Sequence, residues 1–276
     1  MRFTFPIKPL YIFSLSTFCA FLMAACNLEK EIEIKLPPYE SKLVVECYLV
    51  PNEPFRLLLQ SSVSYFDLLT LPDVRNATVL IKHRGQTDTL RYGLLVDTLN
   101  LKAYNYTSQN LVPAHYGEDF ELYIKDSLGR EVRARTTMRS VVPLDSVRWK
   151  FREKDSTAFL LMYFFDKAEE VNAYRLTINR NTPSGERKGD FEFSDELFSG
   201  QVIPIGTRYE YKPQDTLVLT LYHLENIYWQ FLEGKEDARR SNMNPFAQGA
   251  RVPTNIENGL GIFTALSFDQ EQIIIR

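Results

Sequence analysis

The chain has 276 residues, of which 35 are acidic and 32 basic, and it carries a formal net charge of −3. This mild acidity argues against a nucleic-acid-binding function, because such proteins need a basic surface for the phosphate backbone. The length allows one large or two smaller domains. The 15 Tyr and 19 Phe beside only 12 Gly are typical of a β-rich exported protein.

The first 25 residues have the pattern of a lipoprotein signal peptide. Two basic residues precede an apolar run over positions 10–23 that is too short to span a membrane. Residues 23–26 then read Met-Ala-Ala-Cys, which places small side chains before a cysteine, as in a bacterial lipobox. We therefore expect a lipid on Cys26 that anchors the chain to a membrane. An ordinary signal peptide cut nearby and an uncleaved anchor are the alternatives.

Cysteine usage leaves one free thiol in the mature chain. Of the 3 Cys, Cys19 leaves with the signal peptide and Cys26 carries the lipid. Cys47 lies in a strand-like segment and is expected to be a small buried hydrophobic residue. The mature chain therefore has no pair of cysteines for a disulfide.

An acid-rich tether and a first β domain follow the lipidated cysteine. Residues 26–35 form the predicted tether, and their glutamates resemble the surface-export signals of Bacteroidota lipoproteins. That resemblance favours the cell-surface side of the outer membrane over the periplasmic side. Residues 36–140 then alternate apolar and polar positions between turn signals, including a hairpin turn at 126–129. These short strands predict an antiparallel, immunoglobulin-like β-sandwich.

A second β-rich domain with one helix is predicted over residues 141–276. A near-continuous apolar run over 157–165 suits a central strand, and the helix is predicted near 222–240. The apolar stripe of this helix has i, i+3, i+4, i+7 spacing and comprises Leu224, Ile227, Tyr228 and Phe231. We expect the stripe to pack on the second sheet. The predicted fold class is all-β, with two antiparallel sandwich domains and an inserted amphipathic helix in the second.

Six Asp residues are followed by Ser or Thr and then by an aliphatic residue or Thr. The triplet resembles the O-glycosylation motif of Bacteroidota envelope proteins. It is also typical of a turn that leads into a strand, because Asp and Ser side chains bond to turn backbone, and both interpretations can hold at one site. The candidate glycosylated residues are Thr89, Thr98, Ser127, Ser146, Ser156 and Thr216.

The sequence has no motif of a metal, cofactor or nucleophile site. His83, His115 and His223 are not at metal-ligand spacing, and neither a Gly-rich phosphate loop nor a nucleophile elbow is present. Two carboxylates that face one cleft, as in a glycosidase, cannot be recognised from sequence and stay open as an alternative. We expect a protein that is not an enzyme and that holds no metal and no cofactor.

Five segments together carry a family resemblance that spans almost the whole mature chain. They are the lipobox at Cys26 and residues 42–46, 74–80, 120–125 and the C-terminal positions 245–246 with 253–263. The last of these reads Asn-Ile-Glu-Asn-Gly-Leu-Gly-Ile-Phe from residue 255. It predicts a structural turn before a strand, with a ligand loop as the alternative. On these segments the chain resembles the family catalogued as domain of unknown function 4249, outer-membrane lipoproteins of Bacteroidota.

The resemblance implies a partner, because such proteins are often encoded beside TonB-dependent receptors. We therefore expect an outer-membrane-anchored accessory of such a receptor in nutrient capture, with an outer-membrane barrel protein as its partner. The alternatives are a subunit of an outer-membrane protein assembly or surface complex, and a fimbria-like adhesin. Aromatic side chains are favoured interface anchors. The candidates are Tyr48, Tyr65, Tyr104, Tyr106 and Trp229.

Overall fold

In its described residues the computed structural model is all-β apart from one helix, which confirms the all-β part of the predicted fold class. It describes residues 39–64, 72–97, 102–167, 171–196, 199–244 and 246–276. The signal peptide, the tether and three named candidates lie outside the described residues, namely Cys26, Tyr65 and Thr98. Within the described ranges, no helix has the length and apolar character needed to cross a membrane.

Eight strands form the first sheet. In chain order they are β1 (Leu43–Leu49), β2 (Pro54–Ser61), β3 (Ala77–His83), β4 (Gln86–Asp97), β5 (Lys102–Leu111), β6 (Asp119–Asp126), β7 (Glu131–Thr137) and β14 (Leu260–Ala265). Their order across the sheet is β14-β1-β2-β5-β4-β3-β6-β7, and β14 runs parallel to β1 while the other neighbours are antiparallel. The hairpin predicted around residues 126–129 is confirmed as β6–β7.

The first sheet curls around one core. In β1, alternate side chains Leu43, Val45 and Cys47 are fully buried, as the period of two predicts. The edge strands β7 and β14 approach each other, so that the sheet is nearly closed. Burial also raises the pKa of the Cys47 thiol, which fits the predicted hydrophobic role and not a reactive one.

A side-chain amide links the two edges of the first sheet. The Oδ1 of Asn255 accepts a hydrogen bond from the backbone N–H of Phe263 at 3.0 Å. Its Nδ2 donates to the carbonyl oxygens of Phe263 in β14, at 2.7 Å, and of Arg135 in β7, at 3.1 Å. The amide thus replaces a strand partner on β14. This geometry agrees with the structural interpretation of the 255–263 block.

Two further sheets enclose a second core. Their strands are β8 (Ser146–Phe151), β9 (Ala158–Phe165), β10 (Ala173–Arg180), β11 (Arg187–Ser194), β12 (Val202–Gly206), β13 (Thr216–Leu224) and β15 (Ser267–Ile274). One sheet has the order β12-β9-β8 and the other β11-β10-β13-β15. Buried residues of both sheets, including Leu160, Phe164, Leu176 and Leu219, pack in a shared cluster. The predicted central strand at 157–165 is confirmed as β9.

The helix α1 (Asn226–Asn242) packs where the two cores meet. Tyr228 and Phe231 are buried in a cluster with Tyr48 of β1 and Ile262 of β14 from the first sheet and with Ala173 of β10. The helix therefore contacts both sheet systems, whereas the sequence placed it on the second sheet alone. It also begins later than the predicted position 222, because residues 216–224 continue a strand.

A buried hydrogen-bond chain fastens the start of α1 to the edges of the first sheet. Glu225 accepts hydrogen bonds from the backbone N–H of Thr137, at 2.8 Å, and from the hydroxyl of Thr136. The same Thr136 oxygen accepts a hydrogen bond from the N–H of Ala265 in β14, at 2.9 Å. Burial raises the pKa of Glu225 despite these donors. The chain joins β7, β14 and the helix at one point.

The boundary between residues 36–140 and 141–276 stays a prediction. Residues 40–276 form one compact unit, and β14 lies in the first sheet although it comes from the second half of the chain. A parallel strand of this kind must return from a distant part of the sequence. Local sequence patterns do not reveal that return.

Candidate functional site

A groove opens in the first sheet where β3 and β4 separate. The pairing of these strands ends at Val79 and Leu90, and β4 then continues along β5, where Tyr92 opposes Tyr106. The groove has a volume of about 570 Å³, a size typical of small-molecule sites. Its walls come from β3, β4, β5 and the turn that follows β6.

The floor of the groove is aromatic. Tyr106 is buried, and its hydroxyl accepts a hydrogen bond from the backbone N–H of Ala77 at 3.0 Å. Tyr92 packs edge-to-face on it, with ring centroids 5.6 Å apart, and remains 41% exposed. Tyr92 therefore presents an aromatic surface to solvent on a rigid support.

A polar network holds Tyr92 in place. Its hydroxyl donates to Asp73, which also accepts a hydrogen bond from Asn105 and pairs with Arg75 at 3.4 Å. The buried Asn105 is fixed in turn by Leu59, whose N–H and carbonyl each bond to the Asn105 amide at 2.8 Å. Such support from a buried side chain keeps a surface group in one orientation.

The network lowers the pKa of Asp73 and raises the pKa of Tyr92. Burial alone would raise the pKa of Asp73, but the hydrogen bonds from Tyr92, Asn105 and Arg75 outweigh it and lower that pKa. The hydrogen bond to this carboxylate raises the pKa of Tyr92. Asp73 is therefore ionised and Tyr92 protonated at neutral pH, which preserves the hydrogen bond between them.

One cation in the groove has no carboxylate partner in the part of the chain that the structure describes. The other charged groups at the groove are paired within 4 Å, as Arg75–Asp73, Lys125–Glu131 and Arg130–Asp126. Arg91 lines the groove and is exposed, and among the described residues no side chain forms an ion pair or hydrogen bond with it. Within the described ranges, the groove thus carries a guanidinium without a counter-charge beside Tyr92.

The structure brings two of the candidate glycosylated residues together. Thr89 of β4 and Ser127, which follows β6, are exposed and line this groove from either side of β3. Ser156 is exposed elsewhere, whereas Ser146 and Thr216 are half-buried. The turn interpretation of the motif has direct support at Asp126, which accepts hydrogen bonds from the N–H groups of residues 128 and 130 at 3.0 and 2.9 Å. Glycosylation itself stays a prediction.

The predicted aromatic interface anchors are mostly buried. Tyr48, Tyr104 and Tyr106 are 8%, 5% and 1% exposed, and Trp229 is half-buried in α1. The three tyrosines serve the core, so they are not available as anchors on the folded surface. The groove residues Arg91, Tyr92 and Asp73 were not identified from sequence.

Two carboxylates converge at a second place, between loops of the second core. Asp166 and Asp195 are both fully buried. Asp166 accepts hydrogen bonds from the Tyr174 hydroxyl at 2.5 Å and the Gly200 N–H at 2.7 Å. Asn172 donates to both carboxylates, at 3.2 and 3.0 Å. Because these oxygens are occupied by protein donors, the pair fastens the loops that carry it and does not face a groove.

This pair predicts a pH-dependent stability. Burial, and then the neighbouring Asp166 carboxylate, raise the pKa of Asp195. A carboxyl group whose pKa is higher in the folded than in the unfolded protein stabilises the fold at pH values below its unfolded pKa of about 4. That stabilisation is lost as the pH rises through the folded-state pKa. We expect Asp195→Asn to remove this loss, so that the variant's stability falls less with rising pH. Urea unfolding across that pH range measures it, and identical slopes for both proteins would contradict the account.

The three histidines serve as hydrogen-bonding residues or lie near the surface. His83 is buried in β3 and contacts Asp88 at 2.8 Å. His223, which sequence placed at the start of the helix, instead lies in β13 and contacts the carbonyl of Ser140 and the amide of Asn172. Across the described residues, no group of three or more His, Cys, Asp or Glu is arranged to hold a metal ion.

Comparisons with known proteins identify a family. No curated protein matches the chain at a significant level. A solved structure titled "Cytokine receptor complex - Crystal form 1A" aligns over 82% of this chain and 94% of its own, at 10% identity with a TM-score of 0.25. That score is too low to indicate a shared fold. The family model described as "Domain of unknown function (DUF4249)" matches residues 29–272. The chain therefore belongs to the DUF4249 family.

Proposed function

We propose that the protein is a lipid-anchored outer-membrane protein that works by binding and not by catalysis, as an accessory of a TonB-dependent receptor in nutrient capture. The observation that carries the proposal is the groove between β3 and β4, with its exposed Tyr92 and with Arg91, which no described side chain pairs with. A solvent-open groove built on rigid strands is suited to ligand capture. The lipobox at Cys26 supports the anchor, and the family resemblance supports the partner.

We also propose that the architecture consists of two immunoglobulin-like sandwiches, of which the second contains the helix. The three-stranded and four-stranded sheets that share the second core support a sandwich there. O-glycosylation at one or more of the six Ser and Thr candidates belongs to the same proposal, and Ser156 is the candidate that is exposed away from the groove.

A subunit of an assembly or surface complex stays the first alternative, and a fimbria-like adhesin the second. An adhesin that joins other chains by strand addition needs an open edge strand. The edge strand β12 contains Pro204 at its centre, and the edge strand β11 carries Arg187, Asp190 and Glu192. Proline and charged side chains discourage strand addition. The other edge strands of these two sheets, β8 and β15, also carry charged side chains, namely Arg148, Lys150, Asp269 and Glu271. These four edges favour the accessory over the adhesin.

Replacing Cys26 by serine is expected to release the protein from the membrane. Two or three acyl chains hold a protein firmly, whereas one chain binds only marginally. Detergent partitioning and the mass of the N-terminal peptide measure the anchor in wild type and Cys26→Ser. Cys47→Ser is the matched control and should stay in the detergent phase. An unmodified Cys26 in mature wild-type protein would refute the anchor.

Affinity purification in mild detergent tests the partner. The tagged lipoprotein should co-elute with an outer-membrane barrel protein in near-equal amount. Elution of the lipoprotein alone, under conditions that keep other envelope complexes intact, would count against a stable accessory complex.

A further inference from the structure

We infer that the groove between β3 and β4 binds a small hydroxylated organic anion, a sugar acid or sugar phosphate, whose charged group pairs with Arg91. This inference rests on the proposed function and specifies the ligand class of the same site. It follows from three features of the groove: a cation and two hydroxyls that have no partner among the described side chains, and an exposed aromatic ring.

The positive charge of Arg91 indicates that the ligand is an anion. The carboxylates near the groove are already used, because Asp73 pairs with Arg75, Glu131 with Lys125 and Asp126 with Arg130. Arg91 alone among the groove's described cations lacks such a partner. A guanidinium presents a planar set of donors that matches a carboxylate or phosphate in two parallel hydrogen bonds.

The hydroxyls of Thr89 and Ser127 and the ring of Tyr92 indicate what the uncharged part of the ligand is. Thr89 and Ser127 are exposed and line the groove from either side of β3, and no described residue forms a hydrogen bond with either hydroxyl. Both hydroxyls can therefore donate to or accept from hydroxyl groups of a ligand. The Tyr92 ring is fixed by Asp73, and the guanidinium carbon of Arg75 lies over it, 5.9 Å from the ring centroid. An apolar face of a small ring can pack against the part of the Tyr92 ring that remains exposed. The volume of about 570 Å³ admits a ligand of this size.

Titration of the purified lipoprotein in mild detergent tests the inference. The ligands are glucuronate and glucose 6-phosphate, with glucose and inorganic phosphate as controls for the neutral ring and the bare anion. We expect at least one hydroxylated anion to bind more tightly than both controls. Arg91→Gln should weaken that binding by roughly tenfold to a hundredfold, the range for a hydrogen bond to a charged group. Because Arg91 is exposed, the melting temperature should not change.

Arg208→Gln is the matched control, since Arg208 is exposed and lies in the loop after β12. It should leave binding unchanged. Tighter binding of glucuronate would indicate a carboxylate ligand, and tighter binding of glucose 6-phosphate would indicate a phosphate ligand.

Several results would overturn the inference. The inference would be wrong if glucose bound as tightly as the anions, or if Arg91→Gln left the binding of the anions unchanged. It would also be wrong if none of the ligands bound at millimolar concentration. An O-glycan on most copies at Thr89 or Ser127 would overturn the inference too, because the glycan would fill the groove. Anion binding without a co-purified receptor would instead overturn only the accessory proposal, so the two failures are distinguishable.

Discussion

Replacing Gly261 by alanine is expected to lower the free energy of unfolding by about 3–5 kcal/mol. Gly261 has a φ of +103° in β14, and an added Cβ would lie 1.9 Å from the carbonyl oxygen of Val45 in β1. A left-handed conformation disfavours alanine, and the backbone of a paired strand cannot move aside as a side chain could. The parallel β1–β14 pairing must therefore shift or break.

Thermal unfolding measures this effect, with an expected decrease in melting temperature of roughly 6–20 °C. Gly249→Ala is the matched control, because a Cβ added at Gly249 would have no atom within 4 Å and the φ of this residue is not positive. Its melting temperature should match that of wild type. Equal melting temperatures for both variants would show that β14 does not pack closely along β1.

Replacing Phe231 by alanine is expected to lower the free energy of unfolding by about 3–5 kcal/mol. Phe231 is 4% exposed and packs in the cluster that joins α1 to strands of both cores. Its removal leaves a cavity at the place where Tyr48 and Ile262 meet the helix. Both cores lose support, so we expect a single cooperative transition at lower temperature.

Lys235→Ala is the control on the same helix. Lys235 is exposed, and its ammonium lies 5.8 Å from the ring centroid of Phe231. Loss of this exposed contact is expected to change stability by less than about 1 kcal/mol. If chemical denaturation gave equal, small effects for both variants, the aromatic stripe would be a surface feature and not part of the core.

Local periodicity predicted the elements whose residues alternate cleanly. Strand β1 and the β6–β7 hairpin follow the period of two because one face of each is buried. The helix boundary was harder, since Leu224 continues the i, i+3, i+4 spacing although it ends β13. Its side chain joins the same cluster as Tyr228, so strand and helix share one apolar pattern across the turn.

The closure of the first sheet could not be predicted from local pattern. Gly261 and Asn255 were singled out as turn residues, but their partners Val45 and Arg135 lie more than a hundred positions earlier in the chain. Only the tertiary fold shows that the glycine is needed for close approach of β1. The amide of Asn255 likewise serves as a link between two strands.

The groove could not be predicted from the sequence either, because its residues come from distant parts of the chain. Asp73, Arg91 with Tyr92, and Asn105 come from three separate segments, and none belongs to a recognisable motif. Their role arises because β3 and β4 part at Val79 and Leu90. The predicted tyrosines Tyr104 and Tyr106 lie nearby but are buried, because aromatic residues serve cores as readily as surfaces.

The most direct test of the binding function is crosslinking in intact cells, followed by affinity purification and quantification of the crosslinked partner. We expect one outer-membrane barrel protein in near-equal amount with the wild-type lipoprotein, and much less of it with Cys26→Ser, which is expected to leave the membrane. Arg208→Gln should recover the partner as wild type does. A lipoprotein that elutes alone across several growth conditions would contradict the accessory function and favour a free adhesin or an enzyme.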